Sequence, residues 1–176
     1  MEIKQPGAHI DHMVRQTRMH HTQLSSMADM KANILLTMAS VVVTLSVRYI
    51  TEPHLKSATI VLIVFCLLTI VLASYSVMPK THLFRNSRGP SKAKKSKFNL
   101  LFFGDFISLE YDEFEAAMEE VINDATRTYQ VQLQEIYTLG VYLAKHKYRF
   151  LRLAYTAFIM GAIFSSLVGL FSGALG

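Results

Sequence analysis

The chain has 176 residues, enough for one compact unit, and 51% of them are hydrophobic, with a mean hydropathy of +0.27. That balance argues against an ordinary water-soluble domain, because the apolar residues gather into three runs of about 20, the length a helix needs to cross a bilayer. Lys and Arg exceed Asp and Glu by 18 to 13 and the excess is local, while Cys66 is the only cysteine, so no intrachain disulfide forms.

Pro6-Gly7 breaks local structure at the start, and residues 1–8 read as loose. From His9 to Met30 an intermittent apolar edge (Ile10, Met13, Val14, Thr17, Leu24, Met27) predicts a helix, the core of a cytosolic N-terminal segment 1–31. Neither Gly nor Pro interrupts it before the first span, 32–50, so one long helix is expected to run into the membrane. About 30 polar residues precede this span, too many for a cleaved signal peptide.

The first span carries an anomaly. Ser26, Asp29, Asn33, Thr37, Ser40, Thr44 and Arg48 recur every three or four residues and form one polar face of a helix whose other positions suit lipid. Unpaired polar groups are costly against acyl chains, so this stripe faces either a partner helix or a water path. On the second option Asn33, Thr37, Ser40, Thr44 and Arg48 line a pore, with Asp29 and Asn33 at its mouth as gate candidates. Ser and Thr can also bond their own helix's carbonyls, which leaves plain packing open.

Pro53 marks the turn into the second span, 58–78, and Pro79 stops it. The segment 79–153 begins with a flexible basic linker around Arg88-Gly89-Pro90-Ser91, followed by Lys92, Lys94, Lys95 and Lys97. Phe98–Phe106 is very apolar but too short to span; it reads as an interfacial or core-docked piece ending in a turn at Gly104-Asp105. A long amphipathic helix is expected from Tyr111 or Asp112, capped by Ser108 or Asp112, with apolar positions at Phe114, Met118, Tyr129, Leu133, Ile136 and Leu143. Its apolar face suits packing on the N-terminal helix.

The third span, 154–175, repeats Ala157, Gly161, Ser165, Gly169 and Gly173 every four residues, a small-residue face for close helix packing within or between protomers. The fold expected is an all-α membrane protein with three transmembrane helices and long cytosolic helical extensions. Lys80, Arg85, Arg88 and the lysines after them, with Lys145, Lys147, Arg149 and Arg152, put 79–153 and the N-terminus in the cytoplasm by the positive-inside rule. The basic run after the second span also suits contact with anionic membrane lipids or with nucleic acid.

Enzyme motifs are missing: there is no phosphate-binding Gly-rich loop, nucleophile elbow or zinc pattern, so neither catalysis nor a metal is expected. Arg127, Tyr129, Lys145, Lys147, Tyr148, Arg149 and Arg152 combine cations with aromatics that suit a phosphate and a base; anchoring at the membrane edge explains the 145–152 cluster equally.

Three stretches carry a family resemblance: Met27-Ala28-Asp29-Met30-Lys31-Ala32-Asn33-Ile34-Leu35-Leu36-Thr37, Asn99-Leu100-Leu101-Phe102-Phe103-Gly104-Asp105-Phe106, and the run from Ile136 to Arg152, where His146 separates two lysines. Together, and in this order, they resemble the Pycsar-type transmembrane effectors over nearly all of the chain after about residue 20. The resemblance implies a non-enzymatic, multi-pass inner-membrane protein of anti-phage defence. It implies a nucleotide signal from a neighbouring cyclase, cyclic CMP or cyclic UMP. The related Hailong arrangement would instead supply oligodeoxyadenylate from a nucleotidyltransferase. The expected activity is an ion channel that impairs the membrane in abortive infection; three spans are too few to enclose a path, so it is expected to be a homo-oligomer, taken as a tetramer. The alternatives are a disrupting effector without a defined pore, or a membrane scaffold that docks a cytosolic partner.

Overall fold

A computed structural model describes residues 7–78 and 98–174. Helices and turns make up the described residues, with no strand among them. The chain divides into two units, Met1–Thr22 with Pro79–Val141 and Gln23–Met78 with Tyr142–Gly176. The expected stop at Pro79, the linker around Arg88–Ser91 and residues 1–6 lie outside the described residues.

Helix α1 runs unbroken over Ala8–Ser46, 39 residues without Gly or Pro. At 1.5 Å per residue it is roughly 58 Å long, nearly twice a ~30 Å hydrocarbon layer. A 3₁₀ turn, Val47–Thr51, ends it, and α2 follows over Lys56–Val77. After the undescribed stretch come a single turn, α3 (Phe103–Phe106), then α4 (Tyr111–Ile122) and α5 (Ala125–Tyr142). A π-helical turn, Leu143–Tyr148, leads into α6, Arg149–Ala174. Three helical stretches are long and apolar enough to cross a membrane: Ala8–Thr51, Lys56–Val77 and Ala125–Ser172.

In the second unit, the membrane unit, the inside is built from small residues. α2 buries Ala58, Thr59, Cys66, Thr69, Ala73 and Ser76, while Ile60, Val64, Leu67, Leu68 and Val71 stay exposed. That pattern suits a helix whose surroundings are as apolar as its own side chains, so that close backbone approach, not burial of bulk, drives packing. α6 answers with Ala154, Ala157 and Gly161. At Gly161 an added Cβ would stand 2.4 Å from Phe65 Cβ, so only glycine allows this approach. Ser165 Oγ donates to the Ala58 carbonyl at 3.0 Å, and Gly169 sits opposite the Ala58 Cβ. The small-residue face of the third span therefore packs on α2 within one protomer; Gly173's surroundings lie outside the described residues. α1 joins through Ala28 and Ala32 against Leu151, and through Leu35 against Ala73 and Ala154.

The first unit, the extramembrane unit, has a core of larger residues. Leu100, Val121 and Val131 are buried under Phe98, Phe114 and Met118. The Asn99–Phe106 segment is thus core-docked. Asn99 N–H donates to Asp105 Oδ2 at 2.9 Å, and Asn99 Oδ1 accepts from Leu101 N–H at 3.1 Å, which closes the turn.

Two expectations about the amphipathic helix are corrected. It is two helices, because Asn123 ends α4 and the Asp124 carboxylate restarts the chain, accepting from the Thr126 and Arg127 N–H groups at 2.8 and 3.2 Å. Neither Ser108 nor Asp112 caps α4: Glu110 takes the N-cap position without a side-chain bond, and Ser108 Oγ donates to the Asp105 carbonyl instead.

Candidate functional site

The membrane part of α1 presents three faces. The buried one is Ala28, Ala32, Leu35, Ala39 and Ser46. A second, exposed and apolar, is Met27, Met30, Ile34, Met38, Val41 and Leu45. The third is the polar stripe. At ~100° per residue it lies about 140° around the helix from the buried face. Ser26, Asn33, Thr37, Ser40, Thr44 and Arg48 are all exposed and Asp29 is half-buried, so the stripe is not what packs α1 onto its own protomer.

The stripe's polar groups are satisfied unevenly. Thr37 Oγ1 donates to the Asn33 carbonyl at 3.0 Å and Thr44 Oγ1 to the Ser40 carbonyl at 2.9 Å. The side chains of Asn33 and Ser40 bond nothing among the described residues. Among the described residues Arg48 reaches only its neighbour, stacking on the Tyr49 ring 4.5 Å from the centroid and donating to its hydroxyl. Ser26, Asp29, Asn33 and Thr37 line an open groove along the helix.

At the Asp29 end the stripe meets a buried cation. Lys147 is only 8% exposed. Its Nζ donates to both Asp29 oxygens, each at 2.7 Å, and to Ser25 Oγ at 2.8 Å. A buried ammonium needs such partners, and three oxygens match its three protons. The π-helical turn that carries Lys147 is held from a third element, since Ser76 Oγ on α2 donates to the Lys147 carbonyl at 3.1 Å. Tyr148 OH donates to the Leu24 carbonyl at 3.1 Å. Burial, and then the charge of Asp29, push the Tyr142 phenol up. A wide turn inside an α-helix stores an alternative register, and such turns recur at working sites.

The nucleotide candidates are divided between the two units. Arg127 and Tyr129 belong to the extramembrane unit, and Lys145, Lys147, Tyr148, Arg149 and Arg152 to the membrane unit. Tyr129 is buried and donates to Asp11 Oδ1 at 2.6 Å, a bond that pushes its phenol up. Lys147 and Tyr148 are committed to α1, while Arg127, Lys145, Arg149 and Arg152 are exposed. Sequence reasoning marks Asp29 and Lys147 separately but misses that they pair. Nothing in the sequence signals a contact across 118 residues; the nearest hint is Ser25 and Asp29, one helical turn apart.

These features define a class: an all-α protein with three membrane-crossing helices, one of them bearing an outward polar face tied by an ion pair to a third-span turn. Comparison with protein families matches residues 12–173 to the Pycsar effector protein domain. The chain belongs to that family, and is therefore a membrane effector of anti-phage defence, not a member of a known enzyme family. No curated protein and no solved structure matches it.

Proposed function

We propose that copies of this chain assemble around α1 into an ion channel of the bacterial inner membrane. In this reading Asn33, Thr37, Ser40, Thr44 and Arg48 line the path, Asp29 stands at its cytosolic mouth, and the N-terminus is cytoplasmic. One observation carries it. The polar face of α1 is exposed in the protomer, and the Asn33 amide has no partner among the described residues. A bare amide against lipid costs several kcal/mol, so a second protomer and water are its natural cover. Identical subunits close most simply as a symmetric ring, for which we take four copies.

A nucleotide from a neighbouring cyclase controls the path, cyclic CMP or cyclic UMP being favoured over oligodeoxyadenylate, and opening it on infection arrests the cell. The Asp29–Lys147 pair supplies a gate in this scheme, because the turn ahead of α6 can let go of the stripe's mouth only by breaking it.

The test is electrical. Purified protein in liposomes is expected to give discrete single-channel currents. Thr37→Leu with Ser40→Leu should suppress them while cross-linking still reports the oligomer. Unchanged conductance in that variant would remove the stripe from the path. A second reading, disruption without a defined pore, draws support from Thr37 and Thr44, whose hydroxyls are satisfied by their own helix. Graded, non-saturating leakage in place of unitary steps would favour it.

A further inference from the structure

A cleft of about 270 Å³ opens between the N-terminal part of α1 and α5, wholly within the extramembrane unit. Val14 and Ile136 give it an apolar floor. On the α1 wall Arg15 and Arg18 stand three residues apart, which puts their Cβ atoms about 5–6 Å from each other. Facing them on α5 are Gln132 and Glu135.

The charges in this cleft are not all spent. Asp11, also in its lining, accepts from Tyr129 through Oδ1. Glu135 Oε1 holds Arg18 Nη2 at 2.8 Å, and its side chain is only 12% exposed against 52% for the arginine. The buried carboxylate thus holds the Arg18 fork through Nη2, while the rest of that half-exposed guanidinium bonds nothing among the described residues. Arg15 has no carboxylate partner among the described residues. Nor does the Gln132 side chain bond anything there. The cleft therefore offers one uncompensated guanidinium, a second held in place, and an amide with both a donor and an acceptor.

We propose that this cleft binds a mononucleotide, its phosphate on Arg15 and Arg18 and its base edge on the Gln132 amide. Guanidinium forks match phosphate oxygens, and an amide can pair two atoms of a base edge at once. Size selects the class of ligand. Pockets that enclose small molecules run from ~300 Å³ upward, so this open cleft, just below that size, has room to hold one nucleotide in part and none for an oligonucleotide. No aromatic residue lines it, so stacking contributes nothing. The proposal deepens the nucleotide-control reading and rests on it. It also gives that control a route, since both arginines ride on α1, the unbroken helix that bears the polar stripe.

Isothermal titration of the full chain in nanodiscs tests it, using cyclic UMP, cyclic CMP, inorganic phosphate and a short oligodeoxyadenylate. One cyclic mononucleotide should bind, and Arg15→Gln should weaken it tenfold or more. Arg15 is exposed and has no carboxylate partner among the described residues, and Gln is a good helix former, so that variant keeps its fold. Gln132→Ala should weaken the nucleotide but not phosphate. Unchanged affinity in Arg15→Gln, or loss of binding in Arg149→Gln alone, overturns this placement while leaving nucleotide control standing. Phosphate binding as tightly as the nucleotide overturns the role of Gln132. Failure of all four probes on the unaltered chain removes nucleotide control itself.

Discussion

The two units of this chain solve the packing problem in opposite ways. In the extramembrane unit Leu100, Val121 and Val131 are gathered in, while Asp112, Glu113, Glu115, Glu119 and Glu120 cover the surface. In the membrane unit the inside holds Ala28, Ala32, Ala73, Ala154 and Gly161, while leucines, isoleucines and methionines face outward. The first is driven by removing apolar area from water. In the second, lipid is as apolar as the side chains, so contact distance and hydrogen bonds decide. The difference makes the α1 stripe stand out: it runs beside an outward face of the same helix, Met30, Ile34, Met38, Val41 and Leu45, that is wholly apolar.

The sharpest way to break this contrast is at Gly161. A Cβ there already meets Phe65 at 2.4 Å, and a leucine would drive α6 off α2. Gly161→Leu should cost about 3 kcal/mol or more, at the upper end for overpacking, and abolish monodisperse protein on gel filtration in detergent. Gly169→Ala is its control. Its Cβ would lie 3.6 Å from that of Ala58, an ordinary contact, so its melting temperature should stay near that of the unaltered chain. If both variants melt alike, close backbone approach is not what holds this unit.

Lys147 comes next. Lys147→Met keeps the aliphatic stem but leaves Asp29 and Ser25 without their cation. Because the Asp29 side chain is 41% exposed, water can replace part of the loss, and we expect about 1–3 kcal/mol, less than for a fully buried pair. If the pair is a gate, the variant should also leak without ligand, and exchanging the two residues (Asp29→Lys with Lys147→Asp) should restore a tight membrane. Leakage that persists in the exchanged protein would make the pair a fastener only.

Much of the frame is legible in the order of residues. α1 follows from the absence of Gly and Pro, and the packing face of α6 from a strict four-residue repeat, because both are local properties of one helix. The break at Asn123-Asp124 escapes such a reading since no Gly or Pro marks it; the apolar period continues across it, although Asp124 ahead of Ala-Thr-Arg is an ordinary helix start. The Asp29–Lys147 pair, the π-helical turn and the cleft at Arg15 are illegible for another reason. Each depends on elements far apart in sequence, and on a register that only the assembled helices fix.

The smallest effect concerns pH and belongs to the extramembrane unit. Burial pushes the Glu135 carboxyl up, and the Arg18 guanidinium offsets this only in part. A carboxyl raised in the folded state binds its proton more tightly there than in the unfolded chain. Its contribution to stability is then fully present below the unfolded carboxyl range and is lost as pH rises through the folded value. Glu135→Gln removes that titration and keeps a hydrogen-bonding partner for Arg18. Urea unfolding followed through the tyrosines, at several values between pH 4 and 7, should show a shallower decline with pH in Glu135→Gln than in the unaltered chain. A steeper decline in the variant would mean that the Arg18 charge outweighs burial at Glu135, and that the carboxylate is held in that cleft by attraction alone.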